Sequence, residues 1–148
     1  MAAARKRVDH VNEWLRVGAA VPADEYERLR EAGVTHVVDL REEDEADIAR
    51  LATLGIVHRH VPVPNNTAPT TEQLAAVADW FADEADDSSA MYVHCAGGFG
   101  RAGTMADGLL VHSGLTLEEA EHTVRAARPE ISINDEQRAW LRDLEAHR

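Results

Sequence analysis

One stretch, Met91-Tyr-Val-His-Cys-Ala-Gly-Gly-Phe-Gly-Arg-Ala-Gly-Thr104, restricts the fold of this chain more than any other. Met91 to Val93 is a short apolar run suited to a buried strand, Gly97, Gly98 and Gly100 punctuate a tight loop, and Met105 to Val111 continues as an apolar helix. Cys95 and Arg101 lie between strand and helix with five residues between them, Ala96, Gly97, Gly98, Phe99 and Gly100. A segment of that length can curl so that its backbone N–H groups all face one anion. Glycine supplies the close approach and the φ > 0 that such a curl needs, and the helix N-terminus adds partial positive charge. The expected product is a cradle for a phosphate-sized dianion. Cys95 lies at its floor, where amide dipoles and Arg101 favour thiolate over thiol, and the planar fork of Arg101 can grip two phosphate oxygens.

The rest of the chain alternates strand and helix patterns. Val11 to Val21 reads as a first strand or hairpin, with Trp14 and Leu15 in the core. A helix opens at Pro22 and runs to Glu31, with Gly33 stopping it, and Val34 to Leu40 is the next strand. Asp39 and Arg41 follow at that strand's end, where an ion pair of structural rather than catalytic purpose is favoured. Glu42 to Leu54 reads as a helix with Ile48, Leu51 and Leu54 on its apolar stripe and the acidic residues 42–47 as a solvated first turn. Ile56 to Val63 alternates as a half-buried strand, carrying His58 and His60 on one face; two histidines without a third ligand nearby do not make a metal site. Pro62 to Pro69 is a loop. Capping patterns at Thr70/Gln73, Thr116/Glu119 and Asn134/Gln137 open three further helices. These patterns predict a single α/β domain over 8–148, with a mostly parallel central sheet of about four or five strands flanked by helices and the site at the carboxyl end of the central strand. Residues 1–7 are expected to form a flexible N-terminal segment.

Composition excludes several functions. The chain has 148 residues and a formal net charge of −12, with Lys6 as its one lysine. That balance argues against nucleic acid and against an anionic membrane surface, both of which attract basic faces. Cys95 is the sole cysteine, which leaves neither a disulfide framework nor a thiolate metal site. A reactive lone thiol and the lack of an apolar signal region or spanning stretch point to a soluble, cytoplasmic protein without a cofactor. The sequence does not specify an oligomeric state.

His94, Cys95, Gly98, Arg101, Gly103 and Thr104 together form the His-Cys-x5-Arg signature, and the chain resembles the cysteine-based protein tyrosine phosphatase superfamily, in particular its small atypical dual-specificity phosphatases. Looser likeness extends through Val34 to Arg41, Val61 to Pro69, Arg128-Pro129 and Asn134 to Leu141. The resemblance implies catalysis through a phosphocysteine on Cys95, phosphate held by residues 96–100 and Arg101, and His94 tuning the cysteine from behind. It also implies that Arg128 supports the phosphate loop. The expected substrates are phosphotyrosine-type proteins, with phosphoserine or phosphothreonine as further candidates, or small aryl phosphates.

Two departures from the family pattern bear on rate. The loop position of the family's proton-donating aspartate holds Asn65, beside Asn66, and an amide has no proton to give at neutral pH. Asp135 is the first candidate for a substitute acid, ahead of Glu72 and the His58/His60 pair. The hydroxyl residue common after the arginine is replaced by Ala102, which is expected to slow hydrolysis of the phosphocysteine. Three alternatives therefore stand: a slow phosphatase, a phosphate-binding module with little turnover, and a rhodanese-like sulfur transferase, the last disfavoured by Arg101 and the glycine pattern.

Overall fold

Three runs of the sequence are buried almost residue by residue: β2 (Leu15–Ala19), β3 (His36–Arg41) and β5 (Met91–Cys95). Strands covered on both faces read this way, since every side chain needs an apolar neighbour. In the computed structural model, which describes Ala4 and residues 6–148, these three form the middle of a five-stranded sheet of order β1-β2-β5-β3-β4. β1 (Val8–His10) pairs antiparallel with β2, and all other neighbours, including β4 (Val57–Val63), run parallel. Val11 to Val21 is thus the turn and second strand of a hairpin that begins at Val8.

Alternation along the strands sends successive side chains to opposite faces. Val38 and Val93 enter the larger core, shared with α3 (Thr71–Glu84), α4 (Arg101–His112), α5 (Leu117–Ala127) and α6 (Asp135–Ala146). Val37 and Tyr92 enter the smaller one, closed by Tyr26, by Leu29 of α1 (Glu27–Glu31) and by Leu51 of α2 (Ile48–Thr53). The three capping patterns are full capping boxes, with Thr70, Thr116 and Asn134 accepting from the third helical residue and Gln73, Glu119 and Gln137 reaching back. α4 leaves the loop after β5 directly and is buried from Arg101 to Val111, so the loop is held between two of the most buried elements of the fold.

One expectation needs correction. The helix expected over Glu42–Leu54 exists only as α2, capped by Asp47, whose side chain accepts from the Arg50 N–H. Residues 42–47 stay irregular because their polar groups are claimed elsewhere: the Ala46 N–H donates to Asp39, the Asp47 N–H to the Tyr26 hydroxyl, and Glu43 reaches Arg101. Within segment 1–7, the described residues Ala4 and Arg7 make contacts with the domain. Ala4 is buried, and Arg7 bonds Asp9 and, at 2.6 Å, Glu130. Residues 1–3 and 5 lie outside the described residues.

Candidate active site

The loop after β5 owes its shape to the places where its carbonyls go. The Ala96 carbonyl accepts from the Ala20 N–H at 3.1 Å, and the Phe99 carbonyl from the Ser132 N–H at 3.2 Å. Between them, the Gly97 carbonyl accepts from Arg128 Nη2 at 3.0 Å and the Gly98 carbonyl from Arg128 Nε at 2.7 Å. In a planar trans peptide the following N–H points opposite to the carbonyl. Tying four successive carbonyls outward therefore turns the N–H groups of Gly97, Gly98, Phe99 and Gly100 inward, a nest for an anion at the N-terminus of α4. Gly98 has φ +77, and a Cβ there would lie 2.3 Å from the Gly18 carbonyl carbon, so only glycine fits.

Cys95 is a buried free cysteine at the end of β5, opening on a cleft of about 440 Å3. Ala96, Gly97, Phe99, Gly100 and Arg101 line the cleft with it; Gly98 is the pivot behind them and does not. Phe99 also lies over the Arg128 guanidinium, 5.3 Å from its ring centroid. The opposite wall comes from the Pro62–Pro69 loop and the start of α6: Asn65, Asn66, Ser132, Ile133, Asn134 and Gln137. Asn66 adopts φ 68, and its carbonyl accepts from Asn134 Nδ2 at 2.8 Å, while the Thr67 carbonyl accepts from Gln137 Nε2 at 3.1 Å. These amides dock the loop on α6 and bring Asn65 to the cleft. Asp135 does not line it. It is exposed in the first turn of α6, where its charge complements the helix dipole, and its neighbours Asn134 and Gln137 face the cleft instead.

Arg101 is buried, and Glu43 grips both its terminal nitrogens, Nη1 to Oε1 at 2.8 Å and Nη2 to Oε2 at 2.9 Å. Nη1 also donates to the Val63 carbonyl at 3.1 Å, which leaves Nε facing no protein acceptor among the described residues. The Arg101 hydrogen bonds hold the Glu43 carboxyl down at about 2. Sequence reasoning missed Glu43 by reading residues 42–47 as a solvated helix turn; its position just past the carboxyl end of β3, where functional groups collect, was the available signal.

His94 is buried under the loop, stacked on Tyr92, with Nδ1 3.2 Å from the Cys95 carbonyl. Burial pushes its pKa down to about 4. A neutral ring bonded to a carbonyl carries its proton on Nδ1, so His94 donates to the Cys95 backbone and fixes it. Asp39 lies 3.8 Å from that nitrogen, but its carboxylate is occupied by Arg41 Nε and Nη2, each at 3.0 Å, which is the structural pair expected at this strand end. Ala102 has no hydroxyl, and Thr104 does not replace one, since its Oγ1 donates to the Gly100 carbonyl at 2.7 Å. Among the described residues no group of three or more metal-capable side chains converges.

Residues 15–147 match the family model described as "Swiss Army Knife protein, DSP-PTPase phosphatase domain". The chain belongs to this family. Its fold is similar to the active form of Tk-PTP, with TM-score 0.86 and 28% identity over 97% of this chain and 99% of that one. It is also similar to human DUSP28, with TM-score 0.81 and 26% identity over 94% and 96% of the two chains. Among curated proteins it is 27% identical to phosphatidylglycerophosphate phosphatase PTPMT2 of Arabidopsis thaliana over 92% of this chain and 61% of the relative. PTPMT1 of the same plant is 28% identical over 84% of this chain and 38% of its own length. The phosphatase domain thus spans between about two fifths and three fifths of these relatives.

Proposed function

We propose that the domain hydrolyses phosphate monoesters through a phosphocysteine on Cys95, with phosphotyrosine-type esters, in proteins or as small aryl phosphates, as preferred substrates. One observation carries the reading: four inward amides surround a buried cysteine, with the fork of Arg101 at the edge of the same cradle. The thiolate attacks phosphorus in line, an S–P bond forms and the ester P–O bond breaks. The amides and Arg101 hold the three equatorial oxygens as charge moves. Water then attacks phosphorus, the S–P bond breaks, and orthophosphate leaves the regenerated thiolate.

Substrate preference follows from the cleft walls. Asn65, which lines the cleft, is an amide without a proton to give, and Glu43 is held ionised by Arg101. A leaving group that departs as a stable anion, such as a phenolate, loses less from this than an alkoxide. Arg101 is the one cation among the described residues lining the cleft, and Glu43 already partners it. A substrate with further negative charge beyond its phosphate meets Glu43 with no second cation to receive it. Likeness to two phosphatidylglycerophosphate phosphatases favours a second reading, a phosphate ester on a lipid headgroup. Among the described residues no helix is long and apolar enough to cross a membrane. The lone thiol suits a reducing compartment such as the cytoplasm.

Rapid-mixing kinetics on wild type, Cys95→Ser and Asn65→Asp tests this, using para-nitrophenyl phosphate, a phosphotyrosine peptide and micellar phosphatidylglycerophosphate. We expect a stoichiometric burst that Cys95→Ser abolishes, and peptide turned over faster than lipid. Asn65→Asp should speed alkyl esters by about 10²-fold, the lower end of general acid catalysis. Peptide binding without burst or turnover would leave a phosphate-binding module, and faster lipid hydrolysis would install the second reading.

A further inference from the structure

Half of the cradle depends on one side chain that never touches substrate. Arg128 follows α5, where Pro129 ends the helix, and its side chain is fully buried. Nε and Nη2 hold the Gly98 and Gly97 carbonyls, so the inward direction of the Gly98 and Phe99 amides is set from behind by this guanidinium. A buried guanidinium needs a compensating charge and a fixed rotation. Both come from the hairpin at the sheet edge: Arg128 Nη1 donates to Asp9 Oδ2 at 3.0 Å, and to the Ala4 carbonyl at 2.9 Å. Asp9 is anchored in turn by Arg7, whose Nε donates to Oδ1 at 3.1 Å and whose Nη2 donates to Glu130 at 2.6 Å. The charges alternate along Glu130, Arg7, Asp9 and Arg128 up to the loop.

We propose that Asp9 is a positioning residue for catalysis: acting through Arg128, it sets the direction of the phosphate-binding amides and so couples the N-terminal hairpin to the active site. The inference rests on the phosphate-binding reading of the cradle. It separates Asp9 from a merely structural acid, because loss of Asp9 then changes oxyanion affinity and kcat beyond what lost stability explains. Without the carboxylate the fork is free to rotate, the Gly97 and Gly98 carbonyls lose their tie, and their peptides can flip. A flipped peptide presents a carbonyl to the phosphate in place of an N–H.

Calorimetric titration with tungstate, a dianion of phosphate shape, and steady-state kinetics with para-nitrophenyl phosphate test this on the full chain. Wild type is expected to bind tungstate; no binding would defeat the phosphate-binding reading itself. Asp9→Asn is expected to bind about 10-fold more weakly and to lose about 10-fold in kcat, less than the roughly 10²-fold of deleting an oxyanion donor outright. Asp9→Glu should recover part of both. Val77→Ala, a core truncation in α3, should lose stability while keeping both values. Tungstate affinity and kcat in Asp9→Asn within twofold of wild type would overturn the proposal. Should Asp9→Asn not fold, Arg128→Met compared with Asp9→Asn/Arg128→Met answers the same question, since neither buries an uncompensated guanidinium. Equal tungstate affinity in the two is expected, and a further loss on adding Asp9→Asn would overturn it.

Discussion

The most direct energetic test lies in α4, one and a half turns beyond Arg101, at Asp107. This carboxyl is 1% exposed, and neither oxygen has a hydrogen-bond partner. Burial, reinforced by the negative charge of Glu121, pushes its pKa from 3.8 to about 7. Arg125 and Arg138 oppose the shift only weakly, because both are bonded to Glu121. The folded state therefore holds a proton that the unfolded chain releases near pH 4. Between those two pKa values the native state binds more protons, so stability from this group falls as pH rises, and the full penalty is present above about pH 7. A shift of about three units corresponds to roughly 4 kcal/mol at 1.36 kcal/mol per unit, reduced to about 2–4 kcal/mol when an arginine swings across or water enters. Asp107→Asn is neutral at every pH and nearly isosteric. Urea denaturation of both proteins at pH 4.5 and pH 8, read by linear extrapolation with equal m values, should show the variant gaining about 1.5–3 kcal/mol on wild type between the two, since pH 4.5 already lies above the unfolded pKa. Taking the difference between pH values cancels the constant effect of burying an amide. A gap between the two proteins that stays constant with pH to within about 0.5 kcal/mol would refute a buried, proton-holding Asp107.

Glu43→Gln should lower kcat/KM for para-nitrophenyl phosphate by about 10-fold, since charge-assisted bonds are roughly twice as strong as neutral ones and the fork of Arg101 loses its partner. Because the Glu43 carboxyl sits at about 2, its ion pair persists below the ordinary carboxylate range and is lost only as pH falls through about 2, while the stability it adds is complete above about 4.5. Wild-type activity should accordingly show no limb near pH 4.5 that Glu43→Gln removes; such a limb would mean that the pair is not made. Gly98→Ala should abolish turnover, because φ +77 strains any side chain by about 1–3 kcal/mol and the new Cβ meets the Gly18 backbone. A Gly98→Ala protein that melts like wild type and turns over normally would refute the outward-tied loop.

The features legible in the sequence are those whose cause is local. Three capping boxes span four residues each, and the buried strands are short β-rich runs of mostly apolar residues, so both could be read without knowing what they pack against. Cys95, Arg101 and the glycines are local in the same sense. Glu43 was not legible, because an acidic run has the same composition whether it faces water or an arginine 58 positions away. The same holds for Asp9 and Arg128, separated by 119 positions, and for the short irregular stretch 42–47 in place of a helix turn. The resemblance brings the Asp135 segment near the pocket, but placement in the capping box decides which residue faces the cleft: Asn134 and Gln137 reach across to the Asn65 loop, and Asp135 points to solvent.

That distinction bears on what a Cys-x5-Arg motif can mean. Its residues permit a curl but do not orient one, since each peptide between Cys95 and Arg101 could present either its N–H or its carbonyl to the centre. In this chain the choice is made by donors outside the motif: Ala20 at the end of β2, Arg128 after α5, and Ser132 before α6. Ala20 lies far along the chain from Arg128 and Ser132, and the donors meet only because β2 neighbours β5 and because α5 and α6 pack on α4. The direction of the loop amides is therefore a property of the tertiary fold. The same heptapeptide in a setting without those donors would turn carbonyls as well as amides toward an anion, and would bind it poorly even with its cysteine and arginine in place.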